Sequence, residues 1–416
     1  MSETSLQFWP ATDVGKVRTH NEDSFLIDKK LNLFVVCDGM GGHAAGDVAS
    51  SMASRELRDA LAADPEVSQV VSNQEVADTR DSILLAMESA VQKACAAVHQ
   101  AGEDDPQKRG MGTTLDALLI VGHRGFIAHV GDSRIYLYRQ GAVHQLTEDH
   151  SVVNELLRRG KLTRDQIDKV QYKNAVTRAV GVYRNVDPDV FDFDVLPGDR
   201  FLLCSDGLHG YFEEHELGRL FEEVPEGELA TRLVALANER GGKDNITAVV
   251  VRVPEGRGGI DEIAQEVNLK LEILHRIPLF RFISYQELVR VLNITHVRSY
   301  QPGEVIVREG EEGEEFFVVL KGRVRVHSGE NTLVELSPGQ HFGEMALVDK
   351  SPRSASVTAV ERSRVLTIRR RDFFALIRKE HAIATKLLWS FCGVLAQRLR
   401  TTSEQLAALK AGIVED

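Results

Sequence analysis

The sequence predicts an α+β protein in which a larger mixed part precedes a smaller part rich in short strands. From residue 6 to about 253, short β-branched apolar runs alternate with two long helical patterns, a combination that favours layered α+β folds. From about residue 277, many brief strand patterns are broken by Gly and Pro, which is typical of a small antiparallel roll or barrel. Because 416 residues exceed one ordinary core, we expect at least two domains.

The first part contains several predicted strands and two predicted helices. The strands are short runs rich in β-branched and apolar residues: Leu33 to Cys37, Thr114 to Val121, Gly125 to Val130, Arg134 to Arg139, Phe201 to Cys204 and Ile246 to Val253. Apolar residues return at helical spacing over Ala45 to Ala63 and over Arg80 to Ala101, so both stretches are predicted to be helices.

A linker and a second domain follow the last predicted strand. The segment "PEGRGGIDE" is punctuated by Pro and Gly, and Ile260 to Leu274 is predicted as a connector helix. We therefore divide the chain into a first domain at 1–253, a linker with connector helix at 254–276 and a second domain at 277–416. Helical patterns return from Arg371 to the end.

Composition narrows the classes of function. Lys and Arg total 50 against 62 Asp and Glu, a net charge of −12, which argues against nucleic acid or anionic lipid as the main partner. The chain has no signal-peptide pattern and no run of about 18 apolar residues, so we expect no membrane span. The cysteines form no CxxC pair, which favours a reduced, cytoplasmic setting; they are Cys37, Cys95, Cys204 and Cys392.

Acids follow two predicted strands and are flanked by glycine. The strand at Leu33 to Cys37 runs into Asp38 and Gly39, and the strand that ends at Cys204 is followed by Asp206 and Gly207. A single Asp-Gly pair is an ordinary turn. Taken with Asp23 in "THNEDSF" and Asp244 in "GKDNIT", however, these acids supply the oxygen ligands that Mg²⁺ and similar cations prefer. The neighbouring glycines allow backbone and ions to approach closely.

The ordered motifs resemble those of the metal-dependent protein phosphatase 2C (PPM) family of serine/threonine phosphatases, in its bacterial form. The resemblance covers roughly residues 6–253 and rests on these segments: "VRTHNEDSF", "VVCDGMGGH", "MGTTLDALLI", "AHVGDSRIYLYR", "LTEDHS", "AVTRAVG", "LLCSDGLHG" and "GGKDNITAVVV". It implies an αββα sandwich of two antiparallel sheets flanked by helices.

The resemblance also implies a set of Mn²⁺ or Mg²⁺ ligands for two ions and a weaker third: Glu22, Asp23, Asp38, Gly39, Asp132, Asp206 and Asp244. Asp38 corresponds to the ligand that bridges two ions, and the Gly39 carbonyl is a further ligand. By the same resemblance, Arg18 corresponds to the residue that grips the substrate phosphate. Its planar fork of donors can bind two phosphate oxygens. We therefore assign catalysis to Arg18, Asp38 and Asp206. No histidine can be matched to the general acid of eukaryotic relatives, and His43 is only a neighbour of Asp38 in sequence.

Residues 277 to about 400 resemble a cyclic-nucleotide-binding domain, a β-roll with flanking helices. The resemblance rests on "IPLFRFISYQELVRVL" and "FGEMALVDKSPRSASV" and implies a nucleotide site built from Gly343, Glu344, Ala346, Arg353, Ser354 and Ala355. Gly343 opens a short helical turn whose backbone amides can face an anion, and Arg353 supplies the positive charge. The Ser354 hydroxyl could bond the phosphate or reach a guanine amino group, so the sequence does not decide between cAMP and cGMP as the ligand. Leu388, Phe391, Leu395 and Leu399 form an apolar stripe in predicted hinge and lid helices at 381–410, although simple core packing also explains this spacing.

The combined prediction is a cytoplasmic phosphatase that hydrolyses phosphoserine and phosphothreonine through water activated by two metal ions. A cyclic nucleotide, cAMP or cGMP, is its expected regulator, and phosphoproteins with a cognate serine/threonine kinase are its expected partners. One alternative is a nucleotide-sensing binding protein in which the phosphatase fold is a catalytically weak scaffold. A second alternative keeps the chemistry but takes a small phosphate ester as substrate.

Overall fold

A computed structural model of the chain describes residues 5–41, 45–74, 79–163, 166–167, 175–255, 260–349 and 351–413. The chain folds into two compact units, Met1–Asp261 and Glu262–Asp416. His43 and residues 256–259 of the predicted linker lie outside the described residues. The domain boundaries at 253 and 277 stay predictions. Among the helices in the described ranges, none has the length and apolar character needed to cross a membrane.

The first unit is built on two antiparallel sheets. One has the strand order β1 (Gln7–Asp13), β11 (Ile246–Arg252), β10 (Arg200–Cys204), β7 (Arg134–Arg139), β8 (Ala142–Gln145). The other has the order β2 (Asp23–Asp28), β3 (Leu33–Met40), β5 (Leu115–Val121), β6 (Arg124–Val130), β9 (Asp189–Asp194), with β4 (Gly112–Thr113) beside the end of β3. The sheets stack face to face, since the rings of Phe8 and Phe34, one from each sheet, lie 5.7 Å apart.

Helices pack against both sheets of the sandwich. The helices described in the first unit are α1 (Gly46–Ala62), α2 (Pro65–Asn73), α3 (Arg80–Asp104), α4 (Val152–Arg158), α5 (Asp206–His209), α6 (Glu214–Glu223) and α7 (Glu226–Glu239). Leu33, Val35 and Cys37 of β3 share one core with α1 and α3, while α6 and α7 share another core with β10 and β11. The predicted αββα sandwich is confirmed, although β1, β2, α6 and α7 are absent from the predicted elements.

The register of β2 against β3 positions the first acids. β3 continues beyond the predicted end at Cys37 to Met40. Asp38 is therefore part of a paired strand rather than of a loop. The pairing places Asp23 directly opposite Asp38, and residues opposite one another in an antiparallel pair have neighbouring side chains. The two predicted acids therefore lie side by side.

The second unit is a β-roll with flanking helices, as predicted. Its sheets have the orders β12 (Thr295–Tyr300), β19 (Ser363–Arg369), β14 (Glu315–Lys321), β17 (His341–Phe342), and β13 (Val305–Val307), β18 (Ser356–Ala359), β15 (Val324–Ser328), β16 (Asn331–Leu336). Its helices are α8 (Ile260–Arg276), α9 (Tyr285–Leu292), α10 (Met345–Val348), α11 (Arg370–Lys379) and α12 (His381–Ile413), with a 3-10 turn at Pro278–Phe280.

Helix α12 differs from the prediction for this region. It is one continuous helix rather than separate hinge and lid helices. The predicted stripe also divides between two environments, because Phe391 is 4% exposed in the core whereas Leu388 and Leu399 are 59% and 70% exposed. Phe391 lies at the border of the helix face that also buries Ile383 and Leu387. Helical spacing alone does not distinguish these two adjacent faces.

Candidate active site and nucleotide pocket

Both sheets of the first unit contribute acids to one edge of the sandwich. Asp23 and Asp38 lie opposite one another on β2 and β3. Asp206 begins α5 directly after β10, and Asp244 lies just before β11, the neighbour of β10. Ser205, the neighbour of Asp206, donates to Asp23 Oδ2 at 2.7 Å, so the acid-bearing segments of the two sheets meet.

Glycines allow the segments that carry these acids to pack closely. The Gly39 N–H donates to the Glu22 carbonyl at 3.1 Å, and a Cβ on Gly39 would collide with the carbonyl oxygen of Gly46. A Cβ on Gly207 would collide with the carbonyl oxygen of Asn245. The glycines that follow the acids are therefore required by backbone-to-backbone contact.

The acids raise one another's pKa. Burial, together with the charges of Asp206 and Asp244, raises the pKa of Asp23 to about 7. Burial and the charge of Asp23, followed by those of the other acids, raise the pKa of Asp38 well above its usual range. Burial and the charge of Asp206 also raise the pKa of Asp132 to about 7. Ionising all of these groups together is unfavourable unless positive charge is added.

The donor set fits a hard divalent cation. All the side-chain donors are carboxylate oxygens, which Mg²⁺ and Mn²⁺ favour. Among the residues that the structure describes, none donates a hydrogen bond to the buried Oδ1 atom of Asp23, while Oδ2 accepts a hydrogen bond from Ser205 at 2.7 Å. Within the described ranges, no three His, Cys, Asp or Glu side chains form a compact metal-binding group. The strand pairing brings the acids to one edge of the sandwich, and their assignment as metal ligands stays a prediction.

Arg18 lies at this cluster. Its Nη2 donates to Asp244 Oδ2 at 2.8 Å, and half of its side chain remains exposed. The charges of Glu22 and Asp38 also act on this guanidinium. Arg18 therefore places an accessible fork of donors beside the acids, as a phosphate-binding residue requires.

Three polar residues that the sequence analysis does not single out hold the site together. The Asn245 side chain accepts from the Glu22 N–H at 2.8 Å and donates to the carbonyls of Val14 and His20. Thr114 Oγ1 accepts from the Asp38 N–H at 2.9 Å, and Ser205 fixes Asp23 as described above. Asn245 and Ser205 directly follow or precede predicted acids, so adjacency is the only sequence signal that points to them.

His209, one turn after Asp206, supports the loop of Asp132. Its Nε2 donates to the Asp132 carbonyl oxygen at 2.8 Å, and burial lowers its pKa to about 4. Since its ring is neutral near pH 7 and its Nε2 proton is engaged, His209 positions Asp132 instead of serving as a general acid. His43 lies outside the described residues.

The second unit contains a cavity of about 500 Å³. All six residues predicted for nucleotide binding line it: Gly343, Glu344, Ala346, Arg353, Ser354 and Ala355. Apolar residues of β15, β16 and β18 form the opposite wall. A mostly apolar cavity with a few convergent polar groups is typical of small-molecule sites.

Arg353 is held in place by backbone and aromatic contacts. Its Nη2 donates to the Glu315 carbonyl at 2.8 Å, and its guanidinium lies 5.6 Å from the ring centroid of Phe317. Gly343 has a φ of +75°, and a Cβ there would lie 2.7 Å from Arg353 Nη1. Burial lowers the pKa of Arg353, against the opposing charges of Glu315 and Glu344. A partly desolvated cation in this position gains from an anionic ligand.

The short helix α10 forms the floor of this cavity, and a second arginine anchors it. Glu344, 3% exposed, occupies the N-cap position of α10 without a capping hydrogen bond from its side chain. Arg370 donates to the carbonyls of Ala346 at 2.8 Å and Asp349 at 3.0 Å at the other end. Arg370 is therefore a positioning residue that the sequence motif does not include.

A model of the protein phosphatase 2C family matches residues 16–240. The chain belongs to the protein phosphatase 2C family. Protein phosphatase PhpP of Streptococcus pneumoniae is 38% identical over 248 residues, which are 59% of this chain and 96% of PhpP. The serine/threonine phosphatase PstP/Ppp of Mycobacterium tuberculosis is 33% identical, covering 60% of this chain and 100% of that structure, with a TM-score of 0.53.

A further solved PP2C-type relative carries metal. The catalytic domain of the serine/threonine phosphatase PstP in complex with two manganese ions is 35% identical, covering 60% of this chain and 99% of that structure, with a TM-score of 0.51. A cyclic nucleotide-binding domain model matches residues 297–380. The chain is therefore a metal-dependent, PP2C-type protein serine/threonine phosphatase that also carries a cyclic nucleotide-binding domain, which confirms the predicted family, fold class and enzyme class.

Proposed function

We propose that this PP2C-type phosphatase hydrolyses phosphoserine and phosphothreonine in proteins, using two divalent cations held at the edge of the sandwich. The observation that supports this most is the convergence of Asp23, Asp38 and Asp206, whose pKa values are all raised by burial and mutual repulsion. In the proposed site the Asp38 carboxylate and the Gly39 carbonyl would hold the metal ions.

The remaining acids divide between the ions. Asp206 and Asp244, from the sheet of β10 and β11, complete the shell of one ion. Asp23 and Glu22, from the start of β2, hold the other directly or through water. Asp132 serves a third, weaker ion. When bound, a pair of such cations activates a water molecule for attack on phosphorus and neutralises phosphoryl charge.

Arg18 has the role of orienting the substrate. Its guanidinium can donate two parallel hydrogen bonds to phosphate oxygens, and its side chain is half exposed at the cluster. Asp244 Oδ2 restrains the fork at 2.8 Å, which lowers the entropy cost of binding the phosphate.

A phosphopeptide assay with Mn²⁺ tests this proposal. Asp206→Asn is expected to reduce hydrolysis at least about 100-fold, since it removes an anionic ligand while keeping the shape. Asp187→Asn is the matched control, because the Asp187 side chain is 88% exposed. Equal rates for the two variants would contradict the proposal, and activity on an aryl phosphate but not on phosphopeptides would favour a small phosphate ester as substrate.

We further propose that a cyclic nucleotide, cAMP or cGMP, binds in the cavity of the second unit and modulates the phosphatase. Glu344 would accept from the ribose hydroxyl and Arg353 would bind the cyclic phosphate, with amides near Ala346 and Ser354 assisting. The cavity volume of about 500 Å³ and the family match support a small ligand of this class. A ligand changes activity only if it binds active and inactive states unequally.

Calorimetric titration with each nucleotide, followed by rate measurements at saturation, tests this part separately. Arg353→Ala is expected to weaken binding by at least about tenfold because a charged hydrogen bond is lost, whereas Arg371→Ala, a 74% exposed arginine, is the control. Binding without any change of rate would leave a nucleotide sensor, and binding together with inactive phosphatase would support the weak-scaffold alternative.

The cellular setting is also part of the proposal. The cysteines are free in the described residues, and all but Cys392 are buried, which suits a reducing cytoplasm. Phosphoproteins and a serine/threonine kinase that makes them are the expected partners. Comparing the phosphoproteins of cells with and without the gene for this chain would test both expected partners, the phosphoprotein substrates and the kinase that phosphorylates them.

A further inference from the structure

We propose that His150 is a positioning residue that ties residues 175–180, here called the return segment, to the loop of Asp132 and thereby sets how tightly Asp132 holds a cation. The proposal rests on the proposed role of Asp132 as ligand of the third, weaker ion, and it names the residue that controls this ligand. His150 is 8% exposed and immediately precedes Ser151, which caps α4. It lies in the motif "LTEDHS", and the return segment lies in "AVTRAVG".

His150 contacts both backbone polar groups of Gly131, the residue before Asp132. Its N–H donates to the Gly131 carbonyl at 2.7 Å, and its ring Nδ1 accepts from the Gly131 N–H at 3.2 Å. Gly131 has a φ of +111°, and a Cβ there would lie 2.6 Å from Thr114 Cγ2, so glycine is required at this position. Without the imidazole, the buried Gly131 N–H would lose its acceptor, and a shift of the loop would be favoured.

The same histidine holds the return segment. Its carbonyl accepts from the Thr177 N–H at 2.7 Å. At the far end of the segment, Val180 exchanges two backbone hydrogen bonds with Thr113, at 2.9 and 3.0 Å, and Thr113 Oγ1 donates to the Asp38 carbonyl at 2.9 Å. The return segment is therefore attached at one end to the residue that fixes Gly131 and at the other end to the residue that contacts Asp38.

The backbone around Asp132 is held from both sides. Ser133 Oγ lies 2.7 Å from Thr114 Oγ1, the Asp132 carbonyl accepts from His209 at 2.8 Å, and His150 holds the residue before Asp132. Groups that orient a metal ligand without touching the ion typically change metal affinity about 10–100-fold when they are replaced. Because coupling between two sites is reciprocal, a cation at Asp132 is expected to stabilise the return segment in turn.

Two substitutions separate the ring acceptor from the rest of the His150 side chain. His150→Asn places an amide oxygen as many bonds from the backbone as Nδ1, so it can still accept from the Gly131 N–H. His150→Gln moves the amide one bond further out, which makes it the matched variant without this acceptor. His123→Gln, which replaces an exposed histidine in the turn between β5 and β6, is the control. Circular dichroism establishes that each variant is folded.

Mn²⁺ binding to the full chain, measured from the electron paramagnetic resonance signal of free Mn²⁺, gives the first readout. The wild type is expected to show two tighter sites and one weaker site, and Asp132→Asn is expected to lack the weaker one. His150→Gln should raise the dissociation constant of the weaker site at least about tenfold and leave the tighter sites unchanged. His150→Asn and His123→Gln should keep the affinity of the wild type.

Hydrogen exchange of the Thr177 amide gives a second readout, and on the wild type it needs no variant. Titrated Mg²⁺ is expected to slow this exchange as the weaker site fills in the wild type and in His150→Asn. The slowing that follows the weaker site should be absent in Asp132→Asn and in His150→Gln, because the connection between Asp132 and the return segment is then broken.

Separate results would overturn this proposal and the role of Asp132. A weaker site that keeps its affinity in His150→Gln, or a wild-type Thr177 amide that does not respond as this site fills, would overturn the proposal alone. An equal loss in His150→Asn and His150→Gln would overturn the role of the ring acceptor. If the wild type has no third site, or Asp132→Asn retains it, the role of Asp132 fails and the proposal fails with it.

Discussion

Replacing Asp23 with asparagine is expected to stabilise the metal-free protein at neutral and alkaline pH. The folded-state pKa of Asp23 is about 7, against about 3.9 for an unfolded aspartate. A group with a raised pKa contributes its full stability below about pH 4, and this stability is lost as the pH rises to about 7. In the wild type, the ionised carboxylate is then buried among other acids at pH 8.

The magnitude follows from the difference of about three pKa units, each worth 1.36 kcal/mol, which gives about 4 kcal/mol at pH 8. Asparagine removes this cost and keeps an oxygen that can accept the Ser205 hydroxyl, now 2.7 Å from Asp23 Oδ2. For a unit of this size, the melting temperature should rise by roughly 10 °C at pH 8. Near pH 4 the gain should disappear, because Asp23 is protonated there.

Calorimetry in EDTA at pH 4.5, 6 and 8 measures the effect, with Asp59→Asn, whose side chain is 62% exposed, as the control. In Mn²⁺ the order should reverse, since the wild type has one more anionic ligand to gain from the ion. An unchanged or lower melting temperature for Asp23→Asn in EDTA at pH 8, or the same gain at pH 4.5 as at pH 8, would refute the reasoning.

Other substitutions test separate parts of the first unit. Arg18→Lys keeps the charge but not the planar fork, so initial rates should show a KM for phosphopeptide about tenfold higher. Gly207→Ala should lower the unfolding free energy by about 1–3 kcal/mol, because its Cβ collides with a carbonyl of the loop before β11; Gly218→Ala, which meets nothing closer than 3.8 Å, should be tolerated in the same urea titration. Arg139→Met should cost about 3–5 kcal/mol, since it leaves the buried Asp199 without its bidentate partner.

The sequence predicted the parts of the site that depend on local chain pattern. Asp38 and Asp206 each follow a buried apolar strand and precede glycine. This local signal identifies one acid of the site on each of the two sheets. The strands at Gln7–Asp13 and Asp23–Asp28 have mostly half-buried residues, so they lack the continuous apolar run that marks a central strand. The identity of β1 depends on pairing with β11, which is long-range in the chain, whereas β2 pairs with the strand that follows it, β3.

Positioning residues were beyond sequence reasoning for a different reason. Asn245 connects Glu22, Val14 and His20, and no spacing in the sequence encodes contacts across more than 220 residues. Arg370 anchors α10 in the same way from outside the nucleotide motif. The role of such residues depends on tertiary contacts. The predicted acids and glycines, in contrast, are recognised from their own chemistry and from the turns in which they lie.

Buried acids elsewhere in the same unit show why the cluster points to a cation. Asp192, 1% exposed, receives a bidentate interaction from Arg80 at 2.7 Å, and despite burial its pKa is lowered. Asp149 is paired with Arg134 at 2.7 Å, and its pKa is lowered as well despite burial.

At Asp192 and Asp149 the fold thus supplies an arginine for a buried carboxylate. Among the described residues, no ion pair reaches Asp23, Asp38 or Asp206, and their pKa values are raised. Arg18 lies nearby but is paired with Asp244, and burying three acids without an ion-pair partner of their own costs folding free energy. Divalent metal matches an all-oxygen donor set, so the assignment of these acids as ligands predicts that a bound cation supplies the balancing charge.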